Sequence, residues 1–124
     1  MIRFWIDGQP PRKSNSRKIV RNARTGKPMV IKSAKARAWV EGALIQIPQE
    51  ARLNLGSLDH PVGILFHVYY KTRRPDLSVE LILDTIEKAG VIANDRYVYE
   101  YHAFKEFSKD RPGVQVTVYG LEDP

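Results

Sequence analysis

Large apolar side chains alternate with polar or amphipathic ones through Ile2-Arg3-Phe4-Trp5-Ile6, the period of a short strand. Asp7-Gly8-Gln9-Pro10-Pro11 ends it, because proline lacks the ladder donor and glycine takes turn dihedrals. The clearest strand is Val62 to Tyr70. There Val62, Ile64, Phe66, Val68 and Tyr70 alternate with Leu65, His67 and Tyr69, and both faces have apolar character, as expected of a central strand. An aromatic strand follows at about Tyr97 to Lys105, then the turn Asp110-Arg111-Pro112-Gly113 and a last strand, Val114 to Tyr119.

Between these runs the period changes to that of helices. Ser33 suits the N-cap of a helix over about 34–47, in which Ala36, Val40, Ala43, Leu44 and Ile47 recur at three- and four-residue spacing. A second helix is predicted over about 79–89, with Asp76 or Ser78 near its N-cap. Val79, Ile82, Leu83, Ile86 and Ala89 lie in one arc, and Gly90 suits the left-handed position beyond its end. Residues 12–32 read as a long loop or an irregular hairpin about Thr25-Gly26-Lys27, and Glu50 to Pro61 as a connection with a weak helical start. The order β, basic loop, α, β, α, β, β predicts one small α/β (mixed α+β) domain over residues 1–124, with a mixed sheet of about four strands and two main helices. At 124 residues the chain has the length of a single domain.

Charge sharpens this picture. The chain has 20 Lys+Arg against 14 Asp+Glu, a formal net charge of +6. Arg12, Lys13, Arg17, Lys18, Arg21, Arg24, Lys27, Lys32, Lys35 and Arg37 fall in one stretch that holds no acid, more basic than solubility requires. A polyanion backbone would order such a segment by neutralising it, so these ten, with Arg73 and Arg74, are the candidate nucleic-acid-binding residues. No run of 18 apolar residues exists, and residues 1–15 lack a secretory hydrophobic segment; the expectation is a cytoplasmic protein, nucleoid-associated when acting. The absence of cysteine excludes disulfides, thiolate zinc sites and a cysteine nucleophile, and His60, His67 and His102 are far apart in sequence. Any metal is then more naturally held by carboxylates, which favours a hard ion such as Mg²⁺.

Asp76, Glu80 and Asp84 are spaced by four. If one helix carries all three, they form a ridge with Glu87 near the same stripe, and Asp95 follows shortly after the helix. Solvated helices commonly carry acids at this spacing. The neighbouring Arg73 and Arg74 give the cluster a second reading, because phosphodiester hydrolysis needs oxygen ligands for an ion together with cations that offset transition-state charge. Asp76, Asp84 and Asp95 are the candidate metal ligands, and Glu80, Arg74 and Lys105 join them as candidate catalytic residues. Tyr97, Tyr99 and Tyr101 would share a strand face, packing against a neighbour or stacking bases.

Arg74-Pro75-Asp76-Leu77-Ser78, Leu83-Asp84 and Lys88-Ala89-Gly90-Val91-Ile92-Ala93-Asn94-Asp95-Arg96 together resemble RusA-type Holliday junction resolvases, the crossover junction endodeoxyribonucleases. Gly8-Gln9-Pro10-Pro11-Arg12-Lys13 and the Lys32 to Trp39 region resemble the same family. The resemblance implies a small α/β homodimer that binds four-way DNA junctions and nicks them in pairs with Mg²⁺. In it Asp76 matches the family's first acid, Asp84 an acid within the helix and Asp95 the late acid. Ser78 stands where the family's second acid is usual and Val79 where an Asn follows it; the usual Lys falls at Ile82 in ungapped register. Glu80 could replace the missing carboxylate by geometry. The alternative is a diverged, non-catalytic DNA-binding protein of the same fold.

Overall fold

In the computed structural model, which describes residues 1–12 and 17–121, the first alternating run forms strand β1 (Ile2–Asp7). The basic segment is an antiparallel ribbon of β2 (Arg17–Arg21) and β3 (Pro28–Lys32). Its turn is built by Asn22, whose side-chain oxygen accepts from the Arg24 and Thr25 backbone N–H groups, and by Gly26 at φ +70°. Helix α1 (Ala34–Gln46) follows, then β4 (Val62–Tyr70), α2 (Glu80–Lys88), β5 (Val98–Phe107) and β6 (Gly113–Gly120).

The main sheet has the order β1-β6-β4-β5. β6 is antiparallel to both β1 and β4, whereas β5 runs parallel to β4, so the sheet is mixed. A parallel pair needs a crossover connection, and α2 supplies it. The ribbon is a separate two-stranded sheet.

Period-two alternation decides which side of the main sheet is dry. Phe4 and Ile6, Ile64, Phe66 and Val68, and Val114, Val116 and Val118 are buried together with Ala43 of α1, Ile47 just beyond its end, and Ile82 and Ile86 of α2. The opposite face carries Trp5, His67, Tyr69 and Phe104, which are half-buried or exposed. They pack chiefly on one another, with Trp5 and Tyr69 centroids 5.5 Å apart and the His67 and Phe104 rings stacked at 4.7 Å. No helix of the described residues is long and apolar enough to cross a membrane.

Ser33 caps α1 as the sequence predicts, its hydroxyl accepting from the Ala36 N–H at 3.1 Å. The far end has no capping glycine. Instead Arg52 reaches back, its guanidinium donating to the carbonyls of Leu44 and Ile47. α2 departs from expectation at its start. Its N-cap is Val79, with no side-chain cap, so neither Asp76 nor Ser78 fills that role. Pro75 disfavours helical dihedrals at Arg74, and the Tyr70 hydroxyl donates to the Asp76 carbonyl at 3.2 Å. The Leu83 N–H to Val79 carbonyl bond, 2.8 Å, fixes the cap at Val79, so the first helical residue, Glu80, lies four residues beyond Asp76. Gly90, at φ +81°, takes the left-handed position expected after α2.

The aromatic strand also begins later than its pattern predicts. Tyr97 belongs to a short 3-10 turn (Asp95–Tyr97), and the register shift between Val62 and Gly63 skips Tyr99. Tyr101 pairs with Ile64 and meets Phe66 edge-on at 5.9 Å. The three tyrosines therefore do not form the single strand face their spacing suggests.

Candidate active site

The turn that leaves β4 is held from three sides, and this is how the basic pair reaches its place. Gln9, just after β1, accepts the Lys71 backbone N–H through its side-chain oxygen at 2.8 Å. The Thr72 hydroxyl accepts from the Arg74 N–H, and Lys105 of β5 donates its ammonium to the Arg73 carbonyl at 2.6 Å. Pro75 is buried beneath the turn while Arg73, Arg74 and Asp76 are exposed. Gln9 is itself placed by a tight corner. Trp39 Nε1 donates to the Gly8 carbonyl at 3.1 Å, and Gln46 exchanges two hydrogen bonds with the Asp7 backbone, at 2.7 and 3.1 Å.

Tyr70 closes the floor of this turn. Burial pushes its phenol pKa up, and the neighbouring Asp76 carboxylate pushes the same way, against a hydrogen bond from the Ser78 backbone that lowers it. The group therefore stays protonated and donating at neutral pH. Because its folded pKa is raised, its contribution to stability is fully present below the ordinary tyrosine value and is lost as pH climbs through the folded one. Tyr70→Phe is expected to cost about 1 kcal/mol in a denaturant titration, and to remove that alkaline loss from the pH dependence of stability.

The acids are distributed along α2. Asp76 precedes the helix, so the ridge of Asp76, Glu80 and Asp84 on one helix does not form; Glu80 opens α2 and Asp84 lies in its middle, both exposed. Asp95 meets the other end: its backbone N–H is accepted by the Glu87 carboxylate in the last turn of α2, at 3.0 Å. Nine helical residues rise about 13 Å, which separates the two ends of α2. Among the described residues, no three His, Asp or Glu side chains are grouped so as to hold a metal ion. The expected set of Asp76, Asp84 and Asp95 does not fit a ready-made three-carboxylate cage.

The bases are where a polyanion can reach them. Lys18 and Arg21 on β2, Arg24 and Lys27 at the turn, Lys32 on β3, Lys35 and Arg37 in α1, and Arg12 after β1 are all exposed. Arg17 lies in β2, and Lys13 falls outside the described residues. Lys32 and Arg37 come together with Lys88 of α2 around a concavity of ≈ 130 Å³ that Val40 and Glu41 also line. Lys88 was not a sequence candidate, because only the packing of α2 beside α1 brings it to the basic segment. Arg111 is a second addition, its guanidinium 5.0 Å from the Trp5 ring and its Nε 3.6 Å from the Asp7 carboxylate.

Over 126 aligned residues, covering 99% of this chain and 94% of the relative, the sequence is 25% identical to the crossover junction endodeoxyribonuclease RusA of Aquifex aeolicus. The chain resembles RusA over nearly its whole length. No family model matches it. The RusA likeness takes in the β4 turn, α2 and the approach to β5, which together carry every acid singled out from the sequence. It equally takes in the basic ribbon, so the candidate nucleic-acid-binding residues and the candidate active site fall within one aligned span.

Proposed function

We propose that this chain is a structure-selective endodeoxyribonuclease that nicks four-way DNA junctions in pairs. The observation that carries the reading is the end-to-end likeness to a crossover junction endodeoxyribonuclease. In support, Lys105 is hydrogen-bonded to the Arg73 carbonyl in the turn that leads to Arg74 and Asp76, and the same chain carries an exposed basic ribbon. In this reading the ribbon and α1 bind sugar-phosphate backbone by charge. Arg74, with Lys105, offsets the charge that develops on the phosphate under attack. Asp76, Asp84, Asp95 and Glu80 are the carboxylates available to the reaction, and hydrolysis is proposed to require Mg²⁺. The exposed carboxylates form no cage, and no step is assigned to the ion.

A homodimer is part of the proposal. The face bearing Trp5, His67, Tyr69 and Phe104 is not covered by either helix, and a domain this small gains burial by pairing. Paired nicks then follow from two copies of the site in one complex.

A second reading, a diverged DNA-binding protein without cleavage, is favoured by Ser78 in place of the usual second acid and by the missing three-acid group among the described residues. Purified protein incubated with a synthetic four-way junction, linear duplex or single strand, each with Mg²⁺ or EDTA, separates the two. Paired, religatable nicks in the junction only with Mg²⁺ are the expected result. Tight junction binding with no cleavage under any divalent ion selects the second reading.

A further inference from the structure

β5 ends with an aromatic side chain that the core does not use. Phe107 is 52% exposed, although it pairs in register with Tyr70, which is buried. The Arg73 guanidinium stands 5.7 Å from its ring centroid, within cation–π range. Arg73, Lys105, Glu106 and Phe107 line a concavity of ≈ 340 Å³, large enough for a small planar ligand. It also adjoins the candidate active site. The Ser108 N–H, next to Phe107, donates to the Tyr70 carbonyl at 2.9 Å, and Tyr70 in turn holds the Asp76 carbonyl.

We propose that Phe107 and Arg73 form a stacking site for one unpaired nucleobase beside the Arg74 to Asp76 turn, an inference that rests on the junction-nuclease reading above. An aromatic ring and a planar guanidinium both present flat faces, which any base can stack upon without sequence readout. The Glu106 carboxylate is turned to the other face of the sheet, 3.5 Å from His67 Nδ1, so the Phe107 ring and the Arg73 guanidinium are the flat surfaces that this concavity offers. Lys105 and Arg74 remain for the phosphates on either side of the base. Bases inside a duplex have their faces covered by their neighbours, so this site selects DNA that offers an unstacked base, as a branch point does.

The probe is 2-aminopurine, whose fluorescence responds to stacking, placed at the crossover of a four-way junction, in the middle of one arm, or in a short single strand. Wild-type protein is expected to change the signal at the crossover and in the single strand, and to leave the arm unaffected. Phe107→Ala should abolish that change and weaken junction binding about five-fold or more, while linear-duplex affinity and its salt dependence stay as they were. Phe107→Trp should restore both. A wild-type signal and selectivity from Phe107→Ala would overturn the proposal, as would a change in oligomeric state by light scattering, which would make the ring a protein contact. If junctions fail to bind but a Phe107-dependent signal persists in the single strand, the stacking site stands and the junction reading falls. Loss of both signals removes both.

Discussion

Replacing Arg21, Arg24, Lys27 and Lys32 together by alanine is expected to lower affinity for junction and linear duplex alike by up to about 10³-fold at 0.1 M salt. All four are exposed on the ribbon or its turn, outside the core that packs the main sheet against α1 and α2, so the fold has no need of them. Each phosphate neutralised on B-DNA contributes about 0.9 to the slope of log affinity against log salt, so four lost contacts should flatten that slope by roughly three to four. A titration at several salt concentrations reads both quantities. Affinity and slope unchanged by the four substitutions would remove the ribbon from the interface. A drop for junctions alone would mean that the ribbon reads branch shape rather than backbone charge.

Asp95→Asn has the second large expected effect: loss of nicking by about 100-fold or more, with junction binding retained within a few-fold. The substitution keeps the shape of the side chain and removes its charge. Asp95 is exposed, and asparagine preserves its backbone bonds, the N–H on the Glu87 carboxylate and the carbonyl that accepts from the Val98 N–H. A loss of turnover would then report chemistry rather than unfolding. Single-turnover cleavage of a labelled junction with Mg²⁺ is the measurement. Unchanged cleavage would take Asp95 out of the reaction and leave Asp76, Glu80 and Asp84 as the acids to test.

Much of the fold is legible in the residues because the signals are local. The alternation in Val62 to Tyr70 and the three valines of the last strand name the buried face of the sheet, and the structure buries those residues. Ser33 announces the start of α1, and Gly90 the end of α2, through backbone requirements that few other residues meet. The failures are also local in appearance and tertiary in cause. Four-residue spacing offers Asp76 as a helix residue, but Pro75 and the Tyr70 hydroxyl keep it off the helix. Three alternate tyrosines look like one strand face, but a 3-10 turn takes Tyr97 and a register shift takes Tyr99.

By itself, then, the chain's pattern determined the order of strands and helices, the dry face of the sheet, the acid-free basic segment and the acids that are candidates for a hydrolytic site. Periodicity, caps and charge act between residues a few positions apart, so they can be read along the line. Only the tertiary structure decided which of the candidates meet. Lys105 reaches the Arg73 carbonyl, Lys88 joins Lys32 and Arg37, and Phe107 is left half in solvent beside Arg73. Asp95 is tied to the last turn of α2 rather than to Asp76. Each depends on strand register and helix packing across long stretches of chain. A one-residue slip of β5 against β4 would send Lys105 and Phe107 to the opposite face of the sheet, and no local signal in the sequence sets that register.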